Sequence, residues 1–361
     1  MIVTFVVLAA ILLAFANGAN DNFKGFATVW GSATLPYRRA LMIATVAALA
    51  GSVLSVLLAH GLVKQFSGKG LVPDDVLALP AFALAVASGA AAAVLIATRV
   101  GLPISTTHSL VGGLVGAGLA GSATGVDFSQ LGKAFFLPLL LSPVLSALIG
   151  YFLYRALPKH SAKQDCICVV EPAPQMAADG TMARTAAMPG LIVDTDEACA
   201  VHGSGARAGS VSGLIDGAHI ASAATICFAR SLNDTPKIAG LMVIVAAGHV
   251  NLSLAAIAAA MAIGGLVLSR RVAETMSRKI TPLEPAQGLI ANLTTAVLVL
   301  LASFKGLPVS TTHVSVGAIS GVGAGANTLS GATLRNILLS WVGTLPLAAA
   351  IGFAVMMIAN R

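Results

Sequence analysis

Two stretches of the chain concentrate hydroxyl and imidazole groups directly after a proline. They are Gly101-Leu102-Pro103-Ile104-Ser105-Thr106-Thr107-His108 and Gly306-Leu307-Pro308-Val309-Ser310-Thr311-Thr312-His313. The proline restrains the entry, Ser105 and Ser310 are natural N-caps, and Thr106, Thr107, Thr311 and Thr312 fall in a first helical turn whose N–H groups have no intrahelical partner. Free amides, hydroxyls and the positive end of a helix dipole converge there, a combination suited to a tetrahedral oxyanion. Capping alone explains one serine but not a duplicated hydroxyl triplet. His108 and His313 are candidate proton carriers, although a histidine hydrogen-bonded within a helix is the commoner case.

A second pair of polar clusters lies upstream. Asn20-Asp21 with Lys24 recurs as Asn233-Asp234 with Lys237, each inside a long apolar stretch where an ionisable group is costly and marks a functional path. An i,i+3 spacing sets Asp21 beside Lys24 and Asp234 beside Lys237, so each pair can neutralise itself. Gly18 to Asn22 reads as a turn, and Pro236 suits the first turn of a helix restarting after a break at Asn233-Asp234.

The elements that must position these groups come in two sets. The first octapeptide recurs with seven of eight residues identical at an offset of 306 − 101 = 205, and the Asn-Asp motif at 233 − 20 = 213, so the chain is a tandem duplication. Residues 1–157 form one transmembrane repeat and 211–361 the other. Each repeat reads as an interrupted first span, two further spans, a hairpin carrying the Ser-Thr-Thr-His element and a last span. Residues 158–210 hold most of the acidic groups and form a cytoplasmic linker. Glycines 112, 113, 116 and 118, with 317, 321, 323 and 325, permit close helix contact.

Of the 361 residues 57% are hydrophobic and only 10% charged, which excludes an ordinary soluble domain; the absence of alternating polarity excludes a membrane barrel. A net charge of +7 with no dense basic run and 5% aromatics excludes nucleic acid and assigns the excess to cytoplasmic loops. Ala14-Phe15-Ala16 has the form of a signal-peptidase site, but no basic n-region precedes it. Arg38-Arg39 follows the first span of one repeat, whereas Arg270, Arg271, Arg278 and Lys279 follow the second span of the other, so the repeats point opposite ways. This reading predicts an all-α, multi-pass protein of the cell (inner) membrane, in contact with lipid, built from two inverted-topology repeats with broken helices and re-entrant helical hairpins. Cys166, Cys168, Cys199 and His202 lie in the linker at spacings that match no standard zinc signature, so no metal site is assigned and the cysteines read as reduced cytoplasmic thiols.

The Gly18-to-Asn22 and Ser231-to-Asp234 motifs, together with the paired Ser-Thr-Thr-His octapeptides, resemble the duplicated signature of the PiT family, the inorganic phosphate transporters. The resemblance covers both repeats. It implies a secondary active carrier of inorganic phosphate that works by alternating access as a symporter coupled to protons or sodium, without a cofactor, and assembled as a homodimer. By position it assigns substrate binding to Asn20, Asn233, Ser105, Thr106, Thr107, Ser310, Thr311 and Thr312, and coupling or charge balance to Asp21, Asp234, Lys24 and Lys237. Lys24 and Lys237 stand where the family pattern commonly has asparagine. A charged lysine has no lone pair for sodium, so the two ammonium groups are read as standing in for two sodium ions; a buried lysine that gives up its proton is also a candidate carrier of protons. Sulfate, arsenate or another tetrahedral oxyanion is the alternative substrate. A membrane hydrolase is the alternative class, as Ser, His and Asp are all present, but no Gly-x-Ser-x-Gly elbow accompanies them.

Overall fold

The computed structural model describes residues 2–58, 68–122, 125–157, 165–170, 175–176, 182–183, 190–201, 207–242, 250–307 and 309–361; His202 and Pro308 lie outside them. Two compact units are present, one formed by Met1–Arg155 with His219–Arg361 and the other by Ala156–Ala218.

The larger unit is helical. Among the described residues, seven helices are long and apolar enough to cross a membrane, and Leu252–Leu268 with Arg270–Lys279 form a further apolar pair bent by 64°. Large apolar side chains point outward, Val53, Leu140 and Val342 being 70–73% exposed. Such a surface is stable in lipid and not in water, and the protein is a multi-pass membrane protein.

The first repeat contains α1 (Ile2–Asp21), a 3₁₀ turn (Lys24–Phe26), α2 (Ala27–Gly31), α3 (Tyr37–Leu58), α4 (Pro80–Arg99), α5 (Thr106–Gly121) and α6 (Leu137–Ala156). The second contains α7 (Val211–Met242), α8 (Val250–Leu268), α9 (Arg270–Glu274), α10 (Pro285–Phe304), α11 (Thr311–Gly325) and α12 (Gly331–Ala359). Helices α4 and α10 start on a proline, where the missing N–H costs nothing. Both stop the same way. Gly101 and Gly306 adopt φ of +75° and +64°, and Leu102 N–H and Leu307 N–H bond back to Ala97 O and Ala302 O at 2.9 Å. These are glycine-terminated Schellman caps, which turn each chain sharply into its Ser-Thr-Thr element.

The two hairpin helices pack crosswise. Gly112 and Gly116 of α5 lie against Leu345 O and Ala349 O of α12, while Gly317 and Gly321 of α11 lie against Pro143 O and Ala147 O of α6. Each repeat's hairpin is therefore seated on the last helix of the other repeat, at glycines where a Cβ would strike backbone.

One expectation is corrected. The break after Asp21 is present, but the second motif is not a break: α7 runs unbroken through Asn233-Asp234, with Pro236 inside it. The first motif is followed by Gly25, where an added Cβ would lie 2.6 Å from Ala223 O, so the chain leaves helical geometry to let α7 pass. Within α7 the fixed φ of Pro236 is compatible with helix, at the loss of one i→i−4 bond.

The smaller unit adds short strands to this mostly helical fold. Strands β1 (Cys166–Val170), β4 (Gly190–Asp194) and β5 (Arg207–Ser210) form an antiparallel sheet in the order β4-β1-β5, and β2 (Gln175–Met176) pairs with β3 (Met182–Ala183). The reading of the linker cysteines as thiols is corrected for Cys168 and Cys199. Cys168 and Cys199 form a disulfide, their Cα atoms 5.5 Å apart although 31 positions separate them in sequence. The pairing of β1 with β4 carries the following six-residue helix (Asp196–Val201) back over β1 and closes that distance.

Candidate functional site

The ends of α1, α5, α7 and α11 meet in the interior of the larger unit. Ser105 Oγ accepts from His108 N–H at 3.1 Å and Ser310 Oγ from His313 N–H at 3.2 Å, so both serines cap their helices. This leaves the threonine hydroxyls of each first turn free to reach across to the opposite hairpin. Thr312 Oγ1 donates to Ile104 O at 2.8 Å, and Thr107 Oγ1 to Val309 O at 3.4 Å. The two imidazoles also meet, His108 and His313 ring centroids being 4.5 Å apart. His313 stacks on Trp341 at 3.8 Å and places Nδ1 at 3.1 Å from Leu139 O.

Each lysine is bound by three kinds of oxygen. Lys24 Nζ donates to Asp21 Oδ1, to Ile104 O at 2.9 Å and to Thr312 Oγ1 at 2.5 Å. Lys237 Nζ donates to Asp234 Oδ1 at 3.0 Å, Val309 O at 3.0 Å and Thr107 Oγ1 at 2.9 Å. The two sets correspond residue for residue under the repeat: carboxylate three positions earlier in the chain, carbonyl of the same repeat's hairpin, hydroxyl of the other repeat's hairpin. All of these side chains are at most 5% exposed.

Two residues not anticipated from the sequence complete the cluster. Asn17 Nδ2 lies 3.2 Å from Asp21 Oδ2, 3.2 Å from Asp234 Oδ2 and 2.9 Å from Thr106 Oγ1, joining both carboxylates to one hydroxyl. Arg230, fully buried, donates Nη1 to Asn17 Oδ1 and Nη2 to Ser231 Oγ, both at 3.0 Å, and Nη1 is 3.8 Å from Asp234 Oδ2. Its Nε has no partner among the described residues. The signal was present: the 213-residue offset sets Arg230 opposite Asn17, and a guanidinium in an apolar segment marks function as an aspartate does.

Asn20 and Asn233 stand outside the charged group. Asn20 Nδ2 donates to Thr98 Oγ1 at 2.9 Å and Leu102 O at 3.1 Å, and Oδ1 accepts from Ile104 N–H at 3.1 Å. Asn233 Nδ2 donates to Ser303 Oγ at 3.0 Å, the equivalent of the Thr98 contact. Both asparagines fasten a hairpin base to the helix bearing the aspartate. The cluster thus brings together Asp21, Asp234, Lys24, Lys237, Thr106, Thr107 and Thr312. Thr311 begins its helix in the same buried turn.

In their ionised forms two carboxylates face three cations, an excess of one positive charge held away from water. In a desolvated site such an excess is relieved by an anion that completes it or by loss of a lysine proton, and the hydroxyls and helix N-termini supply donors for an anion.

The comparisons with known proteins agree with this chemistry. The inorganic phosphate transporter 2-1, chloroplastic, of Arabidopsis thaliana is 29% identical over 407 residues, covering 93% of this chain and 68% of that one. A solved structure described as the sodium-dependent phosphate transporter superposes with a TM-score of 0.77 at 25% identity, covering 99% of both chains. The sequence pattern described as the phosphate transporter family matches residues 17–352. With both motif pairs and nearly all of both repeats inside that match, the chain is a membrane transporter and not an enzyme, and it belongs to the phosphate transporter family.

Proposed function

We propose that the protein carries inorganic phosphate by alternating access between two inverted repeats, with Lys24 and Lys237 taking the places of coupling cations. The observation that carries this reading is the reciprocal binding of the two ammonium groups. Each sits among a carboxylate, a carbonyl and a hydroxyl oxygen, the ligand types that a hard cation takes. A related transporter is described as sodium-dependent; here two ammonium charges are covalently present among the cluster oxygens, so coupling falls to protons or to no ion.

The inverted arrangement is supported by the residue-for-residue exchange of contacts between the hairpins. It is supported also by the two basic loops, which lie together: the Arg270 guanidinium is 5.9 Å from the Tyr37 ring and that of Arg278 4.5 Å from the Trp30 ring. One membrane face then receives both loops, as the positive-inside rule requires. Because every cluster residue is buried, substrate reaches it only when the hairpins move relative to the helices that hold Asp21 and Asp234, which is the motion alternating access needs.

The charge excess favours phosphate over sulfate. Monoanionic phosphate brings the cluster to neutrality and carries P–OH groups that donate to Asp21 or Asp234, whereas sulfate is a dianion with acceptors only. Arsenate shares the proton inventory of phosphate and should compete. The test is uptake of radiolabelled phosphate into proteoliposomes in sodium-free buffer, with and without a proton gradient, against excess sulfate or arsenate. Strict dependence of the wild type on sodium would overturn the surrogate-cation reading. Competition by sulfate equal to that by arsenate would overturn the charge argument.

A further inference from the structure

The smaller unit holds a cluster that phosphate transport leaves unused. The Sγ atoms of Cys166, Cys168 and Cys199 all lie within 4.8 Å of one another. Cys166 and Cys168 are two positions apart on β1, so their side chains leave the same face of the sheet, and both are buried. Cys199 comes from the helix after β4, whose pairing with β1 sets Cys166 opposite Asp194 and Cys168 opposite Ile192. Three sulfurs from sequence-distant positions are thus gathered by backbone pairing. Thiolates around one tetrahedral ion with metal–sulfur bonds of about 2.3 Å stand roughly 3.8 Å apart, inside the observed envelope.

Two of the three sulfurs are joined in the conformation described here, Cys168 to Cys199, and Cys166 is not part of that bond. A linker on the cytoplasmic side meets a thiol-reducing medium, in which such a bond opens. We propose that the reduced linker is a three-thiolate site for a borderline-soft divalent cation of the zinc class, and that closure of the Cys168–Cys199 disulfide abolishes it. The states exclude each other because the disulfide consumes two of three ligands. Opening the bond takes two electrons and two protons from a dithiol, which itself becomes a disulfide; metal binding then displaces a proton from each of the three thiols. Phosphate binding has no part in this argument.

Cobalt(II) is the probe. The full-length protein in detergent, reduced with a phosphine and kept anaerobic, should bind one Co2+ per chain, with sulfur-to-cobalt charge-transfer absorption and tetrahedral d–d bands that Zn2+ erases. Oxidised protein, with the disulfide closed, should give neither band. Cys166→Ser is the discriminating variant, since it retains both disulfide partners and hence a check on folding by disulfide closure. It should lose the charge-transfer absorption while still closing the bond. Cys227→Ser, which changes a cysteine of α7, should retain the full spectrum. Absence of thiolate absorption in the reduced wild type, an unchanged spectrum in Cys166→Ser, equal binding by the oxidised protein, or loss of binding in Cys227→Ser would each overturn the proposal.

Discussion

Replacing both internal ammonium groups, by the double substitution Lys24→Asn/Lys237→Asn, should convert a sodium-independent carrier into one that requires sodium. The buried cluster changes from one positive charge in excess to one negative charge in excess, since Asp21, Asp234 and Arg230 stay in place. Removing one member of a buried ion pair typically costs about 3–5 kcal/mol. At about 1.4 kcal/mol per decade that is roughly a hundred- to several-thousand-fold in phosphate binding for each site. Uptake in sodium-free buffer should therefore fall by at least about two decades. The vacated positions keep a carboxylate, a carbonyl and a hydroxyl oxygen, from Asp21, Ile104 and Thr312 in one and Asp234, Val309 and Thr107 in the other. Each introduced asparagine adds an amide oxygen, and four oxygens suffice to hold a hard cation with water completing the shell. Added sodium should restore uptake with saturable dependence. The assay is proteoliposome uptake with sodium replaced by an organic cation, alongside size-exclusion and thermal-melt profiles that verify folding. Wild-type uptake by the folded double variant without sodium, or failure of sodium to restore any uptake, would refute the reasoning.

Three further outcomes are expected. Asp21→Asn and Asp234→Asn each strand a buried lysine and should reduce uptake at least about a hundredfold in folded protein; wild-type uptake by either contradicts a role in charge balance. Arg230→Gln removes the excess charge. At about 8 Å and an effective dielectric near 20 one charge is worth about 2 kcal/mol, so the phosphate KM should rise roughly thirtyfold with less change in kcat, and an unchanged KM would remove Arg230 from anion binding. Deleting residues 170–198, which touches no residue of the charged cluster, should leave substantial uptake; complete loss in well-expressed, inserted protein would give the linker a role in transport.

Local chemistry and periodicity were enough to read the hairpins and the Asp-Lys pairs, because each rests on adjacent residues and occurs twice. Ser105 and Ser310 are caps by residue type and position, and the glycines that turn the chain into them sit next to them in sequence. The mean apolarity of its segment hides Arg230, one guanidinium among small residues; only the repeat offset singles it out. Asn17 carries no charge and no motif, and its role depends on contacts with residues 89 and 217 positions away. The unequal fate of the two Asn-Asp motifs was illegible for a related reason. The first leaves helical geometry where α7 crosses at Gly25, a contact with a residue distant in sequence. In the linker, strands of two to five residues are too short for a period to register, so the approach of Cys168 to Cys199 was hidden behind 31 intervening positions.

The crosswise seating of the hairpins has a consequence for how such a chain could arise. Contacts in which a group of one half meets the other half, and its counterpart returns the contact, are those of an isologous dimer. A single repeat expressed alone would leave its glycine-lined hairpin without a seat, which a second copy would have to supply. In such a pair the positions held here by Asn17 and Arg230 would be encoded by one codon. Two asparagines give a cluster with no excess charge, and two arginines give one with twice the present excess. In one chain the two positions are encoded separately, so that one half can hold the amide that bridges both carboxylates while the other holds a guanidinium.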